Sequence, residues 1–237
     1  MILKNLFSSI NVDAFIDEDN IEKLFPITES VRHIPDWWKN LPKQYCSSEG
    51  TGINVPAGTM RKCPGFIELY KKSLTIPLWA DVIISSDPSG WRWRSPYSGF
   101  YLDTHGKEQF GNSFDDFFHV KFASPWFIKE KTGVNFIVAP AIWNISNLWD
   151  DVTIVNGISE FKYQHSTHIN FFIKRAVKEI TFDAGMPLAH LIPLTEKKVN
   201  LKRHVISNEE YSKMFRNTVS FFNIDKHKKF KKFWDKS

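Results

Sequence analysis

The sequence predicts an all-β protein, a β-sandwich or jelly roll with an irregular N-terminal arm and a C-terminal α-helix. A cupin-like double-stranded β-helix is one variant of that class. Three observations predict it. Aromatic residues are 15% of the 237 and apolar residues 42%, enough to fill one large core. From residue 66 onward, short runs alternate with the period of two of a strand, and Gly, Pro, Asn or Asp stands in most gaps. A single helical pattern stands out, near the end of the chain.

Residues 1–65 read as the arm. Val12–Asp17 predicts a strand and Ile21–Phe25 one helical turn. Pro35-Asp36-Trp37-Trp38-Lys39 opens a short helix, with Pro where its missing N–H costs nothing. Trp37, Trp38 and Leu41 then dock this segment on the body.

Residues 66–196 read as the sandwich core. Ser73–Ser85 alternates over a long span, with Ile76, Leu78, Ala80, Val82 and Ile84 on one face and Pro77, Trp79, Asp81 and Ile83 on the other. Two apolar faces suit a strand buried between layers. Asp87-Pro88-Ser89-Gly90 predicts a turn, and Trp91-Arg92-Trp93-Arg94 its hairpin partner. Further strands are expected at Phe100–Leu102, His119–Phe122, Trp126–Lys129, Val134–Ile142, Val152–Val155, Glu160–Tyr163, His168–Lys174, Glu179–Phe182 and Leu188–Pro193.

Residues 197–237 read as a basic helix and tail. Ser207-Asn208-Glu209-Glu210 has the form of a capping box, and Tyr211, Met214, Phe215, Val219 and Phe222 follow at helical spacing. The net charge of +5 is uneven: this last segment sums to +8 and everything before it to −3. Lys226–Trp234 is the extreme, with six side chains of Lys or His around Phe230, Phe233 and Trp234. A solvated helix end is the favoured reading of that tail; nucleic acid or an anionic surface is the alternative partner.

Several function classes are excluded or weakened. Cys46 and Cys63 are too few for a disulfide framework and are expected as reduced, buried or partly buried thiols. No run is long and apolar enough for a transmembrane segment, and no secretory signal is recognisable. A facial-triad oxygenase needs His-x-Asp/Glu. The residues two after the eight histidines are Pro35, Lys107, Lys121, Thr167, Asn170, Ile192, Ile206 and Lys229, none acidic. No metal site is therefore predicted, and no cofactor is indicated. Gly-x-Ser-x-Gly and phosphate-binding glycine loops are absent. Asp115-Asp116 and Asp150-Asp151 read as turn residues.

The candidate site is a Trp-rich cleft. Trp79 and Asp81 share one strand face, Trp91 and Trp93 another, and the hairpin turn brings them together; His105 and Gln109 close the rim. Indole faces stack on sugars, bases or cations, and a carboxylate fixes a polar group. The competing reading is packing, with Asp81 accepting backbone N–H bonds.

Four blocks carry a resemblance. They are Lys62-Cys63-Pro64-Gly65-Phe66 with Ile76-Pro77-Leu78-Trp79-Ala80-Asp81, then Lys121-Phe122-Ala123-Ser124-Pro125-Trp126, then Gly185-Met186-Pro187-Leu188-Ala189-His190-Leu191-Ile192-Pro193. They resemble an uncharacterised protein family of T4-like marine phages and some bacteria. That family has no assigned activity, so the resemblance implies origin and fold more than chemistry. It implies a protein of the host cytoplasm or the virion. Where such sequences tend to carry Gly-Ile-Val-Asp-Thr-Asp, this one reads Gly157-Ile158-Ser159-Glu160-Phe161, and His190 replaces a customary Gln. His190 joins the candidate ligand-binding residues at that position.

The leading functional expectation is an accessory protein of phage type that binds a small polar ligand or carbohydrate in the Trp-rich cleft. A jelly-roll metalloenzyme with atypical His ligands comes second, and nucleic-acid association through the tail third. Long β edges make a homodimer an open expectation.

Overall fold

In the computed structural model, residues 9–47, 55–87, 90–111, 113–144, 147–175 and 178–216 are described. The chain begins with β1 (Ile10–Ile16), α1 (Asp19–Leu24), β2 (Thr28–Glu29) and a 3-10 turn at Ser30–His33. Next come α2 (Asp36–Lys39), β3 (Gln44–Ser47), β4 (Val55–Gly58), α3 (Pro64–Lys72), β5 (Leu74–Pro77), β6 (Val82–Asp87), β7 (Gly90–Arg94) and β8 (Leu102–Asp103). Then follow β9 (Phe117–Glu130), β10 (Asn135–Pro140), β11 (Val152–Ile154), β12 (Gly157–Glu160), β13 (Ser166–Lys174), β14 (Glu179–Phe182), β15 (Pro187–Pro193) and β16 (Val199–Val205). A helix over residues 208–216, α4, comes last.

These strands make an all-β sandwich. The first sheet has the order β11-β13-β9-β1-β16, with β8 beside β9. The second is β12-β10-β15-β5-β2, and a third is β14-β6-β7. Alternation decides which side chains meet. On β9, Val120, Phe122, Trp126 and Ile128 point into the core, while Phe117, His119 and Lys121 face the other way. Phe122 packs on Phe171 of β13 at 4.5 Å and on Phe182 of β14 at 5.3 Å, so rings from facing layers interlock.

β9 is one strand of 14 residues, where the sequence predicts two. The break falls at a bulge: Ser166 stands opposite Phe127, but His168 stands opposite Ala123. Ser124 and Pro125 lie in the extra length, and a bulge is where a strand tolerates Pro. The opposite edge of β9 serves two partners in turn, β8 at Lys121 and Phe122 and β1 at Phe127–Glu130. Glu130 closes the following turn. Its buried carboxylate accepts N–H bonds from Thr132, Gly133 and Val134. Burial pushes its pKa up, but these bonds outweigh it and hold the acid below its usual range.

Four expectations need correction. Ser73–Ser85 is not one strand: β5 ends at Pro77 in the second sheet and β6 starts at Val82 in the third. Both faces of this stretch are apolar, so periodicity does not mark where the chain changes sheet. Pro64–Lys72 is a helix, where strands are expected from residue 66 onward; Pro stands at its first position. Residues 1–65 are not an arm throughout: β1 lies inside the first sheet, paired to β9 and β16. The basic segment from residue 197 contributes β16 before any helix.

Other expectations match what is observed. The β6–β7 hairpin pairs Asp87 with Gly90. Trp38 stacks on Phe66 of α3 at 4.9 Å, and Trp37 meets the same ring edge-on at 5.8 Å. Cys46 and Cys63 are free thiols; Cys63 is half-buried as expected, whereas Cys46 is exposed. The capping box forms: the Ser207 hydroxyl accepts the Glu210 N–H, and the Glu210 carboxylate accepts the Ser207 N–H. Tyr211 then donates to the Pro125 carbonyl at 2.7 Å, tying α4 to the bulge of β9. Val219, Phe222 and Lys226–Trp234 lie outside the described residues. Among the described residues no helix is long and apolar enough to cross a membrane.

Candidate functional site

The outer face of the first sheet carries alternating positions of β9 and β13. Register places His119 beside Phe172 and Lys121 beside Asn170. Asp103 of β8 faces Lys121, and their side chains pair at 2.6 Å. The loop between β8 and β9 folds back over this face. Phe114 stacks flat on Phe172 at 4.4 Å, and Phe110 meets Phe172 edge-on at 5.7 Å. Gly111, with φ of +60°, supplies the left-handed turn between those two rings. Arg175 holds the far end of the loop by donating to the carbonyl of Asp115 at 2.6 Å.

Beneath the loop lie two adjoining cavities, of about 250 and 290 Å³, that share His105, Phe110, His119 and Phe172 as walls. The first also reaches Trp91, Phe118 and Arg175; the second reaches Gln109, Val155 and Asn170. The lining is mostly aromatic with a few polar atoms, the usual composition of a small-molecule site.

Two imidazoles stand at the shared wall, ring centroids 4.6 Å apart. The backbone N–H of His105 donates to His119 Nδ1 at 3.2 Å. That bond makes Nδ1 the acceptor and leaves the hydrogen of the neutral ring on Nε2. Burial, with help from His105, lowers the His119 pKa to about 4, so this ring is a neutral donor throughout the physiological range. A side-chain hydrogen bond between His119 and Asn170 opposes that shift. Asn170 Oδ1 is fully buried. His105 Nδ1 bonds Gln109 Oε1, which makes it the donor and turns its Nε2 into an acceptor. Among the described residues no three His, Cys, Asp or Glu side chains converge as metal ligands do.

The predicted site residues fall into three places. Trp91, His105 and Gln109 line these cavities. Trp79 is buried and stacks on Phe100 at 5.3 Å, and Trp93 meets the same phenyl ring, tilted, at 5.8 Å. Both indoles therefore pack on Phe100. Asp81 is exposed and accepts the Ala184 N–H at 2.7 Å, a loop contact away from the indoles.

His190 lies on the opposite side of the molecule, sealed under α3. Its Nδ1 sits 3.0 Å from Thr75 Oγ1 and 3.2 Å from Ser30 Oγ, and Ser73 bonds Ser30 in turn. Its Nε2 is buried without a partner. Burial, with the neighbouring His33, lowers its pKa to about 4.

His119, Phe110, Phe114, Asn170 and Phe172 are absent from the predicted set. A signal for them existed. Phe172 is an aromatic at an outward position between His168, Asn170 and Lys174, where alternation calls for polar residues. What was missing is the partner: only the register of β13 on β9 brings Phe172 to His119.

No protein-family model matches the chain, and no curated protein sequence matches it significantly.

Proposed function

We propose that this is a ligand-binding accessory protein whose site is the aromatic pocket between the β8–β9 loop and the outer face of the first sheet. The observation that carries the reading is the pair of adjoining cavities walled by Phe110, Phe172, His105 and His119. Apolar rings supply contact area, and a small number of fixed polar atoms orient what they cover. The ligand is small, largely planar and polar at one end. Trp91, His105 and Gln109 belong to the site; Trp79, Asp81, Trp93 and His190 do not. The sequence blocks that resemble the phage family support an accessory role in an infected cell or in a virion.

Ligand-observed NMR with a library of aromatic fragments tests this. Hits should lose their saturation transfer in Phe172→Ala while retaining any signal unaffected by that pocket. Hits that bind Phe172→Ala as well as the parent protein would place the site elsewhere. Trp91 fluorescence gives a second readout, since its ring lines the first cavity.

A further inference from the structure

We infer that the ligand of this pocket is an aromatic carboxylate, with its ring among Trp91, Phe110 and Phe172 and its carboxylate on the two Nη groups of Arg175. This rests on the pocket being the binding site and names the ligand class it selects.

The anchor comes from the local fold. Arg175 follows the last residue of β13 and borders the first cavity. Its guanidinium lies on the face of Phe118, with Cζ 4.1 Å from the ring centroid. Nε donates to the carbonyl of Asp115 at 2.6 Å, and the backbone N–H donates to the carbonyl of Asp116 at 2.9 Å. The fork is therefore held before anything binds, and the side chain has little rotamer freedom left to lose. Among the described residues neither Nη group has a hydrogen bond or an ion pair. Arg175 is exposed, so the fork stands at the rim of a cavity whose other walls include Trp91, Phe110, Phe118 and Phe172.

That arrangement sorts ligand classes. A planar guanidinium with two open N–H directions matches a carboxylate through two parallel, charge-assisted bonds. A neutral amide or alcohol brings it one acceptor and no charge, and an ammonium is repelled. Arg175 is the one guanidinium or ammonium group among the described residues lining the cavity, and Asp115 borders it too. One negative charge is therefore matched and a second is not, which disfavours a phosphate dianion. A sugar acid sets its hydroxyls against rings that give them nothing to bond. A flat aromatic acid covers those rings and places its one charge at the rim.

The test titrates 2-naphthoate, 2-naphthamide and 2-naphthyl phosphate by calorimetry at neutral pH. 2-Naphthoate should bind about tenfold or more tightly than the amide, and added salt should weaken the acid alone. Arg175→Gln should bring the acid down to the affinity of the amide and leave the amide unchanged. Arg175→Lys, which keeps the charge and loses the fork, should fall between, and it serves if the Gln variant does not fold. Equal binding of acid and amide by the parent protein, both weakened by Phe172→Ala, overturns the anion inference and leaves the pocket reading standing. So does a failure of 2-naphthoate to bind a protein that gives Phe172-dependent fragment hits. If Arg175→Gln weakens acid and amide equally, Arg175 only supports the loop and the inference fails. A preference for the acid that survives in Arg175→Gln, or that Phe172→Ala leaves intact, puts the anion elsewhere and overturns it too. Tighter binding of 2-naphthyl phosphate overturns the choice of carboxylate. No binding of any probe, in a protein that also gives no Phe172-dependent hits, overturns both readings.

Discussion

His119 and His190 lie on opposite faces of the sandwich and share one electrostatic condition. Each is buried, each is held neutral, and each has its pKa lowered to about 4. Their surroundings differ. His190 sits among Ser30, Ser73 and Thr75 with Tyr70 of α3 above it, and α3 is itself locked by Phe66 between tryptophans. His119 sits under a loop held to the sheet by a few rings, by bonds from Thr104 and His105 to His119, and by bonds from Arg175 to the carbonyls of Asp115 and Asp116. The same residue type with the same shift thus serves a sealed polar network in one place and a pocket wall in the other. A perturbed pKa locates neither function; the presence of a cavity beside the ring does.

The largest expected effect is on acid stability, and both rings contribute. Each takes up a proton near 6.5 when unfolded and near 4 when folded, so between those values the unfolded state binds more protons. Stability is therefore full above pH 6.5, falls as the pH drops toward 4, and then loses no more from these groups. The loss is on the order of 3 kcal/mol per ring. Urea titrations from pH 7 to 4 measure it. His119→Gln and His190→Gln should each flatten part of the curve; an unchanged slope in either variant would break the symmetry between the two rings.

Removal of the side chains sharpens the contrast. His190→Ala leaves the Ser30 and Thr75 hydroxyls facing a void and should destabilise the protein by about 2–4 kcal/mol in equilibrium unfolding. His119→Ala opens onto an existing cavity and should cost about half as much or less. Equal costs would show that the His119 site is as tightly packed as the His190 site.

The smallest effect is on the loop. Phe110→Ala should lower stability by about 1 kcal/mol while speeding amide exchange across residues 104–116. Exchange in α3 should not change. Faster exchange in both regions would mean that the loop and α3 open as one unit.

Much of the architecture is legible from local pattern. Glu179–Phe182 and the outward–inward alternation of β13 follow from side chains that repeat every second residue, and the capping box of α4 from two side chains three apart. Trp37 and Trp38 announce themselves as docking residues by being large and adjacent to Pro35. The Trp-rich cleft is less well read. Trp91 lines a cavity, but Trp79 and Trp93 both pack on Phe100, and nothing near those indoles in sequence states that a phenyl ring meets them.

What the sequence determines alone is what depends on neighbours along the chain: strand periodicity, turn chemistry at Asp87 and Gly90, the helix start at Ser207, and the shortage of acidic partners near each histidine. What tertiary structure decides is what depends on register. β1 becomes an interior strand because both its edges find partners far away in sequence, β9 and β16. His119 meets Phe172 and Asn170 because β13 pairs with β9 on one side of a bulge, and a shift of one residue would send all three into the opposite face. A site assembled across strands is set by hydrogen-bond registration between distant segments, and no local period encodes it.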